Sequence, residues 1–333
     1  MLKEGVSIII CCYNSSLRIE KTLQHIADQK INSINCEVIL IDNASSDNTA
    51  DVAKLVWSEI RNSEINFHII HEPSPGLSYA RTRGVLEANF EYLIFCDDDN
   101  WLDENYIQTV FNLYKLNTDI AILGAAGVPE FEDALSVPVW FDKFYHGYAV
   151  GPLADEESYV NGVYGAAMAV RKSYFKKIVG AYPMLLDGRK QQRLTAGDDA
   201  EICLRMRLAG YKILFSPQLT FKHFLTVKRL NWNYLKKLHT GFARSHVILN
   251  LYEKALNSDD NNLPPFYWLK KTLYYWGIYL KYWPKHYSAY SKGEGTIEEI
   301  HHITWKNIAL DYLKYNFKTI AIYNEISTLK KLN

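Results

Sequence analysis

The sequence has no excess of charge of either sign, because 37 Lys and Arg residues balance 37 Asp and Glu residues among 333. Nucleic-acid-binding chains typically carry a basic excess, so we expect no nucleic-acid partner. No uncharged apolar stretch reaches roughly 18 residues, and we therefore predict no membrane-spanning helix. Residues 1–5 also lack the apolar segment and cleavage site of a secretory signal. These absences together predict a cytoplasmic protein.

Cysteine is scarce as well. The chain contains five cysteines, an odd number, and no pair has the C-x-x-C spacing of a metal or redox site. They are Cys11, Cys12, Cys36, Cys96 and Cys203. We interpret them as small core residues in a reducing compartment and not as a disulfide framework.

A repeated alternation of strand and helix patterns occupies the first third of the chain. Hydrophobic residues make up 48% of the sequence and charged residues 22%, as is typical of globular proteins. Apolar runs at 6–12, 36–41, 67–70 and 92–96 predict buried strands, with helical spacing between them. Strands that alternate with helices in units of about 30 residues predict an α/β fold, with a mostly parallel sheet flanked by helices.

Polar residues follow three of these runs, namely Tyr13-Asn14, Asp42-Asn43 and the triplet Asp97, Asp98 and Asp99. Ligands of open parallel sheets bind beyond the carboxyl ends of the strands, so we expect these residues to lie close together. Three adjacent carboxylates repel one another and need a cation or water beside them. Hard oxygen ligands suit Mg²⁺ or Mn²⁺, and the alternative is a solvated acidic turn.

The texture of the sequence changes to helices after His223, which predicts one domain at 1–225 and a helical extension at 226–333. Eleven Lys and Arg residues stand against three acids between 222 and 285. Apolar residues in the extension recur at steps of three and four; they are Phe266, Leu269, Leu273, Trp276, Leu280 and Trp283. This seam has lysines beside it and fits either a helix at a membrane surface or a helix packed on the first domain or on a second subunit.

Two stretches resemble binding loops. The irregular stretch at 129–162 is aromatic, and Trp140, Phe141 and Tyr145 fit either stacking on a ligand or anchoring of the loop in the core. The polar stretch around Arg189, Lys190 and Arg193 fits either a flap over a bound ligand or a solvated loop.

A family resemblance emerges from the motifs taken in order. In the first half they are 7–14 (SIIICCYN), 41–47 (IDNASSD), 76–84 (GLSYARTRG) and 97–99 (DDD); in the second half they are 197–205 (GDDAEICLR) and 215–217 (FSP), leading to His223. Together they resemble family-2 glycosyltransferases over roughly residues 5–225. The resemblance implies a GT-A fold and the inverting transfer of a sugar from a nucleoside diphosphate sugar, by default a UDP-sugar. It implies a glycan or lipid-linked saccharide as the acceptor.

The resemblance also implies a metal site. Asp99 would bind Mn²⁺ or Mg²⁺ directly, Asp97 would reach the ribose or the water shell of the metal, and His223 would be a further ligand. Imidazole favours Mn²⁺ over Mg²⁺. A hydrogen-bonded histidine at a strand edge is the alternative for His223. Asp98 belongs to the same donor-binding stretch, although alternation along an extended chain turns its side chain away from those of its neighbours.

The remaining roles follow from the same resemblance. Asp199 would be the base that takes the proton of the acceptor hydroxyl, in a pair whose first member is Asp198 where the family has glutamate. Helix capping is the alternative for both carboxylates. Tyr13, Asn14, Asp42 and Arg81 would contact the donor: Tyr13 would pack on the base, Asp42 would hydrogen-bond the base or ribose, and Arg81 would face the diphosphate. Asn14 would also fix the turn.

Two rival functions share these residues. A nucleotidyltransferase also uses paired carboxylates and a metal, but residues 7–14 lack the Gly- and Lys-rich phosphate loop that it would need. A non-catalytic scaffold that binds nucleotide sugar is the other rival, and the full set of carboxylates argues against it.

Overall fold

A computed structural model describes residues 3–60, 64–180, 182–186, 188, 196–258, 260, 262–290 and 293–332. Its strands are β1 Lys3–Cys12, β2 Cys36–Asn43, β3 Ile65–Glu72, β4 Phe90–Asp97, β5 Asn100–Leu102, β6 Ile120–Phe131, β7 Ser158–Tyr159, β8 Ala169–Arg171 and β9 Lys212–Leu225. Its helices are α1 Ile19–Ala27, α2 Thr49–Ile60, α3 Leu77–Glu87, α4 Tyr106–Leu116, α5 Phe141–Phe144, α6 Lys172–Ile178, α7 Asp198–Leu208, α8 Trp232–Leu256, α9 Tyr267–Tyr290, α10 Ile297–Tyr315 and α11 Lys318–Thr328. Among these residues, no helix combines the length and apolar character needed to cross a bilayer.

The first half of the sheet is parallel, as the sequence predicts. Its order is β3-β2-β1-β4, and Ile8 of β1 pairs with Val38 of β2 and with Ile94 of β4. Side chains alternate between two cores: Ile8 packs in the core on one face of the sheet and Ile9 in the core on the other. Both faces are covered, which explains why the strand sequences are continuous apolar runs.

The second half of the sheet mixes strand directions. β8 runs antiparallel to both β4 and β6, whereas β9 runs parallel to β6 and antiparallel to β5. The pairing of β5 with β9 sets Asn100 opposite His223. It thereby brings the acidic turn after β4 beside a histidine more than 120 residues away in the sequence.

Residues 212–225 form one long strand. The sequence predicts two short strands at 211–215 and 219–224, and that break is wrong. Gly124 of β6 pairs with Phe215 and Ala126 pairs with Thr220, so residues 216–219 bulge opposite a single residue. Pro217 has no N–H to donate and falls within this bulge, where no ladder hydrogen bond is required.

The C-terminal helices pack on the domain at 1–225 through α8. Ile248 and Leu251 of α8 lie in one hydrophobic cluster with Leu204 and Leu208 of α7. α10 contacts α8 and α9, and the apolar seam predicted along α9 faces outward. Among the alternatives for this seam, packing on the first domain is therefore not what the described residues show.

A buried ion pair on α7 holds that helix in place. Arg205 Nη2 lies 2.8 Å from Glu201 Oε1, and both side chains are almost fully buried. Arg205→Met is expected to lower the free energy of unfolding by about 3–5 kcal/mol, because it leaves a buried carboxylate without its cation. Denaturant unfolding followed by circular dichroism measures this.

The matched control lies on the same helix. Arg207 pairs with Glu253 at 3.1 Å, but this pair is partly exposed. Arg207→Met should therefore cost less than about 1 kcal/mol. Equal losses in the two variants would contradict the assignment of the buried pair.

Candidate functional site

A cavity of about 320 Å³ opens beyond the carboxyl ends of β1 and β4. Its walls include most of the residues singled out from the sequence, namely Tyr13, Arg81, Asp97, Asp98, Asp99, Asp199 and His223. Asn14 and Asp42 are not among its lining residues, although Asn43 is. The fold thus gathers the carboxylates of 97–99 and of 198–199 and the His223 imidazole around a single cavity.

Asp99 and His223 face each other across the β5–β9 pairing. Asp99 Oδ1 lies 3.6 Å from His223 Nε2, and both side chains are buried. The Tyr148 carbonyl oxygen lies 2.6 Å from His223 Nδ1. A carbonyl only accepts hydrogen bonds, so Nδ1 carries a proton, and Nε2 faces Asp99 and Arg229.

Arg229 completes this corner of the cavity. Its Nη2 lies 2.7 Å from Asp99 Oδ2 and its Nη1 lies 3.2 Å from His223 Nε2. The Asp99 carboxylate raises the pKa of the Arg229 guanidinium. The Tyr148 hydroxyl donates to the Arg229 carbonyl oxygen at 3.0 Å. Arg229 carries no motif, and its position six residues after His223 in a basic stretch is the one signal the sequence offers.

The donor atoms in this corner suit a divalent ion. Carboxylate oxygens and an imidazole lone pair are ligands that Mn²⁺ accepts, and the Tyr148 carbonyl orients the imidazole as an outer partner of a metal-bound histidine does. Within the described part of the chain, however, no three His, Cys, Asp or Glu side chains stand close enough together to hold an ion. The Arg229 guanidinium lies against both Asp99 and His223, so an ion bound to both would require it to move.

Asp98 points away from this corner, as alternation along the chain predicts. Its Oδ2 accepts hydrogen bonds from Ser15 Oγ and from Arg18 Nη2, the latter at 2.6 Å, and its carbonyl oxygen accepts from Thr22 Oγ1 at 2.9 Å. Burial raises the pKa of the Asp98 carboxyl and Arg18 opposes that shift. Asp98 thus ties the acidic turn to the start of α1.

The two carboxylates at the start of α7 have different surroundings. Arg81 Nη1 lies 2.6 Å from Asp198 Oδ2, and this ion pair is buried. Among the described residues, no cation pairs with Asp199 in this way: its Oδ2 accepts from the Gly165 N–H at 2.9 Å and its Oδ1 from the Ala200 N–H at 2.8 Å. Burial raises the pKa of the Asp199 carboxyl, the charge of Asp198 raises it further, and Arg81 opposes the shift. Burial therefore makes the Asp199 carboxylate a stronger base than an ordinary aspartate.

Gly165 permits the close approach to Asp199. A Cβ atom at this position would lie 2.9 Å from the Cβ of Asp199 and 3.1 Å from Arg81 Nη2. Any larger residue would displace the carboxylate from the Gly165 N–H. The sequence gives no motif for this requirement.

The residues predicted on the donor side occupy three kinds of position. Tyr13 is partly exposed at the cavity wall, where its ring is free to pack on a base. Asn14 has a positive φ of 51° and its Oδ1 accepts from the Ser46 N–H at 2.8 Å, so it fixes the turn after β1. Asp42 Oδ1 is buried without a hydrogen-bond partner among the described residues. Such an orphaned acceptor suits an N–H or O–H donor from a ligand.

Asn43 was missed from the sequence as a positioning residue. Its Oδ1 accepts from the Gly76 N–H at 2.7 Å and its Nδ2 donates to the Ser74 carbonyl oxygen at 2.6 Å. These bonds hold the segment before α3 against the end of β2. Arg81 on α3 is placed through this contact.

The aromatic loop mainly builds the core. Trp140 and Phe141 are buried, and the Trp140 ring lies 5.4 Å from the Trp232 ring of α8. Of the two alternatives for Trp140 and Phe141, the structure therefore supports anchoring of the loop in the core, because both side chains are buried among other rings. Residues 146–149 of the same stretch do line the cavity. The suggested flap residues Arg189, Lys190 and Arg193 lie outside the described residues.

Comparison with known proteins shows the family of the chain. The sequence model of Glycosyl transferase family 2 matches residues 7–179, which is more than half of the chain. The poly(ribitol-phosphate) beta-N-acetylglucosaminyltransferase TarP of Staphylococcus aureus (strain N315) is 24% identical over 98% of this chain and 89% of its own. The putative glycosyltransferase EpsH of Bacillus subtilis (strain 168) is 29% identical over 39% of this chain, which spans 35% of the length of EpsH.

A solved structure shares the fold. The crystal structure of S. aureus TarS 1–349 in complex with UDP-GlcNAc superposes with a TM-score of 0.51 at 13% sequence identity. The match covers 98% of this chain and 91% of that one. The predicted GT-A fold with a C-terminal helical region is thereby confirmed.

Proposed function

Since the chain belongs to glycosyl transferase family 2 and is a transferase, we propose that it moves a sugar from a UDP-sugar onto a hydroxyl of a glycan or lipid-linked saccharide, with inversion at the anomeric carbon. The observation that carries this proposal is the contrast between Asp198 and Asp199. One carboxylate is neutralised by Arg81 at 2.6 Å, and burial raises the pKa of the other. A single displacement needs one such base.

The step balances as a simple substitution. The acceptor oxygen attacks the anomeric carbon, Asp199 takes the hydroxyl proton, and the bond from the anomeric carbon to the diphosphate oxygen breaks with its electrons. The diphosphate leaves with an added negative charge. Arg81 pairs with Asp198, which leaves Asp199 as the carboxylate in position to act as the base.

UDP is the nucleotide that the relatives favour. TarS was crystallised in complex with UDP-GlcNAc. In this chain, the position of Tyr13 at the cavity wall suits a uracil ring. The Oδ1 atom of Asp42, which has no hydrogen-bond partner among the described residues, suits the ribose hydroxyls or the uracil imide. Asn14 keeps the turn that presents Tyr13. Arg81 and Asp98 also line the cavity, and we keep both as proposed donor-binding residues because their charges contribute to its field.

Asp99 and His223 would hold the divalent ion, with Asp97 beside them in the same wall. Bound there, Mn²⁺ or Mg²⁺ would offset the charge of the departing diphosphate. Arg229 pairs with Asp99, and its guanidinium would have to move for an ion to bind Asp99 and His223 together.

We further propose that the enzyme acts on the cytoplasmic side, at the inner face of the cell membrane, where lipid-linked acceptors would be found. A homodimer is a second proposal for its state in solution. The family match removes the basis for a nucleotidyltransferase, and the intact base and metal corner argues against a non-catalytic scaffold.

Thermal shifts across a panel of nucleotide sugars test the donor. A ligand at 100 times its Kd stabilises the folded state by about 2.7 kcal/mol, so UDP and the correct UDP-sugar should raise Tm in the presence of Mn²⁺. ADP-glucose and GDP-mannose are the matched controls and should not. A slow hydrolysis of the stabilising UDP-sugar should accompany the shift, and a panel without any response to uridine nucleotides would contradict the proposal.

A further inference from the structure

The outer face of α9 exposes an unusual amount of apolar surface. The side chains of Leu273 and Leu280 are each 63% exposed. With them on this face lie the exposed side chains of Phe266, Leu269, Trp283 and Tyr287. Single exposed apolar side chains are common on protein surfaces, but a continuous strip along one helix marks an interaction site.

The strip is not needed for the packing of the chain itself. The opposite face of α9 meets α10: the Tyr279 ring lies 4.3 Å from the His302 ring, and Thr272, Tyr279 and His286 are buried. α9 therefore already has its structural contact. Of the residues that repeat at steps of three and four, Trp276 is half-buried and the Trp283 ring lies 5.3 Å from the His302 ring. The side chains of Leu269, Leu273 and Leu280 are the ones left outside.

Positive charge borders the strip. α9 contains four lysines and no acidic residue, and Lys270, Lys281 and Lys285 are exposed. At about 3.6 residues per turn, these three fall along one border of the apolar strip. Lysine stems can lie along an apolar surface while their ammonium groups reach outward to anions.

We propose that this face of α9 binds the interfacial zone of a bilayer that contains anionic lipids. Trp283 and Tyr287 suit the headgroup level, the leucines suit the upper acyl region, and the lysines meet the lipid phosphates. A second copy of the chain is the weaker occupant. A two-fold interface would bring the lysine-rich helices of both copies together, and neither helix has an acidic side chain to pair them.

This inference gives the proposed membrane location its contact surface and rests on that part of the proposed function alone. It does not depend on which sugar is transferred. Binding to vesicles needs no donor, so its outcome can be separated from that of the UDP thermal shift.

Flotation of the full-length protein with vesicles tests the inference. The vesicles are made of phosphatidylcholine, with or without an equal amount of phosphatidylglycerol. The protein should float with the anionic vesicles and much less with the neutral ones, and high salt should weaken the binding. Leu273→Glu with Leu280→Glu should reduce the bound fraction at least tenfold.

The control variant carries the same changes elsewhere. Leu116 and Leu135 are 80% and 97% exposed, and Leu116→Glu with Leu135→Glu should float as the unmodified protein does. Both double variants should keep their UDP thermal shift, which shows that they fold. Failure of the unmodified protein to float with anionic vesicles, or equal flotation of both double variants, would overturn the inference. So would a dimer in solution that the α9 substitutions dissociate.

Discussion

Asp199→Asn is expected to lower the rate of sugar transfer by about 10²–10⁴-fold while leaving the affinity for UDP nearly unchanged. The amide keeps the size of the side chain and an acceptor for the Gly165 N–H, but it cannot take the acceptor proton. Asp199 lies at the start of α7, away from the turn after β1 that carries Tyr13. The loss should therefore fall on turnover and not on donor binding.

Turnover and calorimetry measured on the same preparations decide the point. Asp198→Asn is the informative comparison, because it breaks the buried ion pair with Arg81 and should lower Tm. Asp199→Asn has no ion pair to lose. Normal turnover in the Asp199 variant would show that another group is the base.

The pH profile gives the same test in another form. The base works only when it is deprotonated, and burial raises the pKa of Asp199 above that of an ordinary aspartate. Transfer should therefore fall as the pH drops through this raised pKa, at a higher pH than an exposed carboxylate would give. The same fall should be absent from the residual activity of Asp199→Asn.

Asp99→Ala is expected to abolish binding of Mn²⁺ and to weaken both UDP binding and transfer. Arg229→Gln should instead change one quantity, by raising the affinity for Mn²⁺. A hydrogen bond to a charged group contributes about 1.5–3 kcal/mol, and an ion entering the corner must replace the one between Arg229 and Asp99. Removing the guanidinium should thus raise the affinity for Mn²⁺ about tenfold or more. Titration followed by electron paramagnetic resonance measures the free ion directly.

Lys222→Gln is the matched control for Arg229. This lysine precedes His223 on β9, but its ammonium group lies 2.9 Å from Glu130 on the exposed surface. Its loss should leave Mn²⁺ binding unchanged. If Arg229→Gln binds Mn²⁺ no better than the unmodified protein, the guanidinium does not compete with the ion.

Local sequence patterns were sufficient to predict the parallel half of the sheet. Continuous apolar runs at 6–12 and 36–41 correspond to strands buried on both faces, and the alternation with helices leaves a parallel order as the simple solution. The polar residues after these runs also meet at one edge, since parallel strands end together. Their convergence follows from the topology and needs no long-range information.

The other features could not be predicted, because they depend on contacts between residues far apart in the sequence. The sequence of 211–225 does not reveal that β9 continues past the bulge at Pro217. The strand continues because β6 pairs with it on both sides of the bulge. Arg229 has the composition of an ordinary surface cation, and its contact with Asp99 exists only once β9 lies beside β5. For the same reason, the seam on α9 could be recognised by its period, while its outward direction depends on where α10 packs.

Tyr148 links the imidazole and the guanidinium of the metal corner to one short turn of the chain. Its carbonyl oxygen accepts a hydrogen bond from Nδ1 of His223, and its hydroxyl donates a hydrogen bond to the carbonyl oxygen of Arg229. The neighbouring residues of that turn, at 146–149, form part of the cavity wall. A molecule that displaces this turn would move the His223 ring and the Arg229 guanidinium together. Occupancy of the cavity would then change the affinity for the proposed ion through Tyr148, which is not itself a proposed metal ligand.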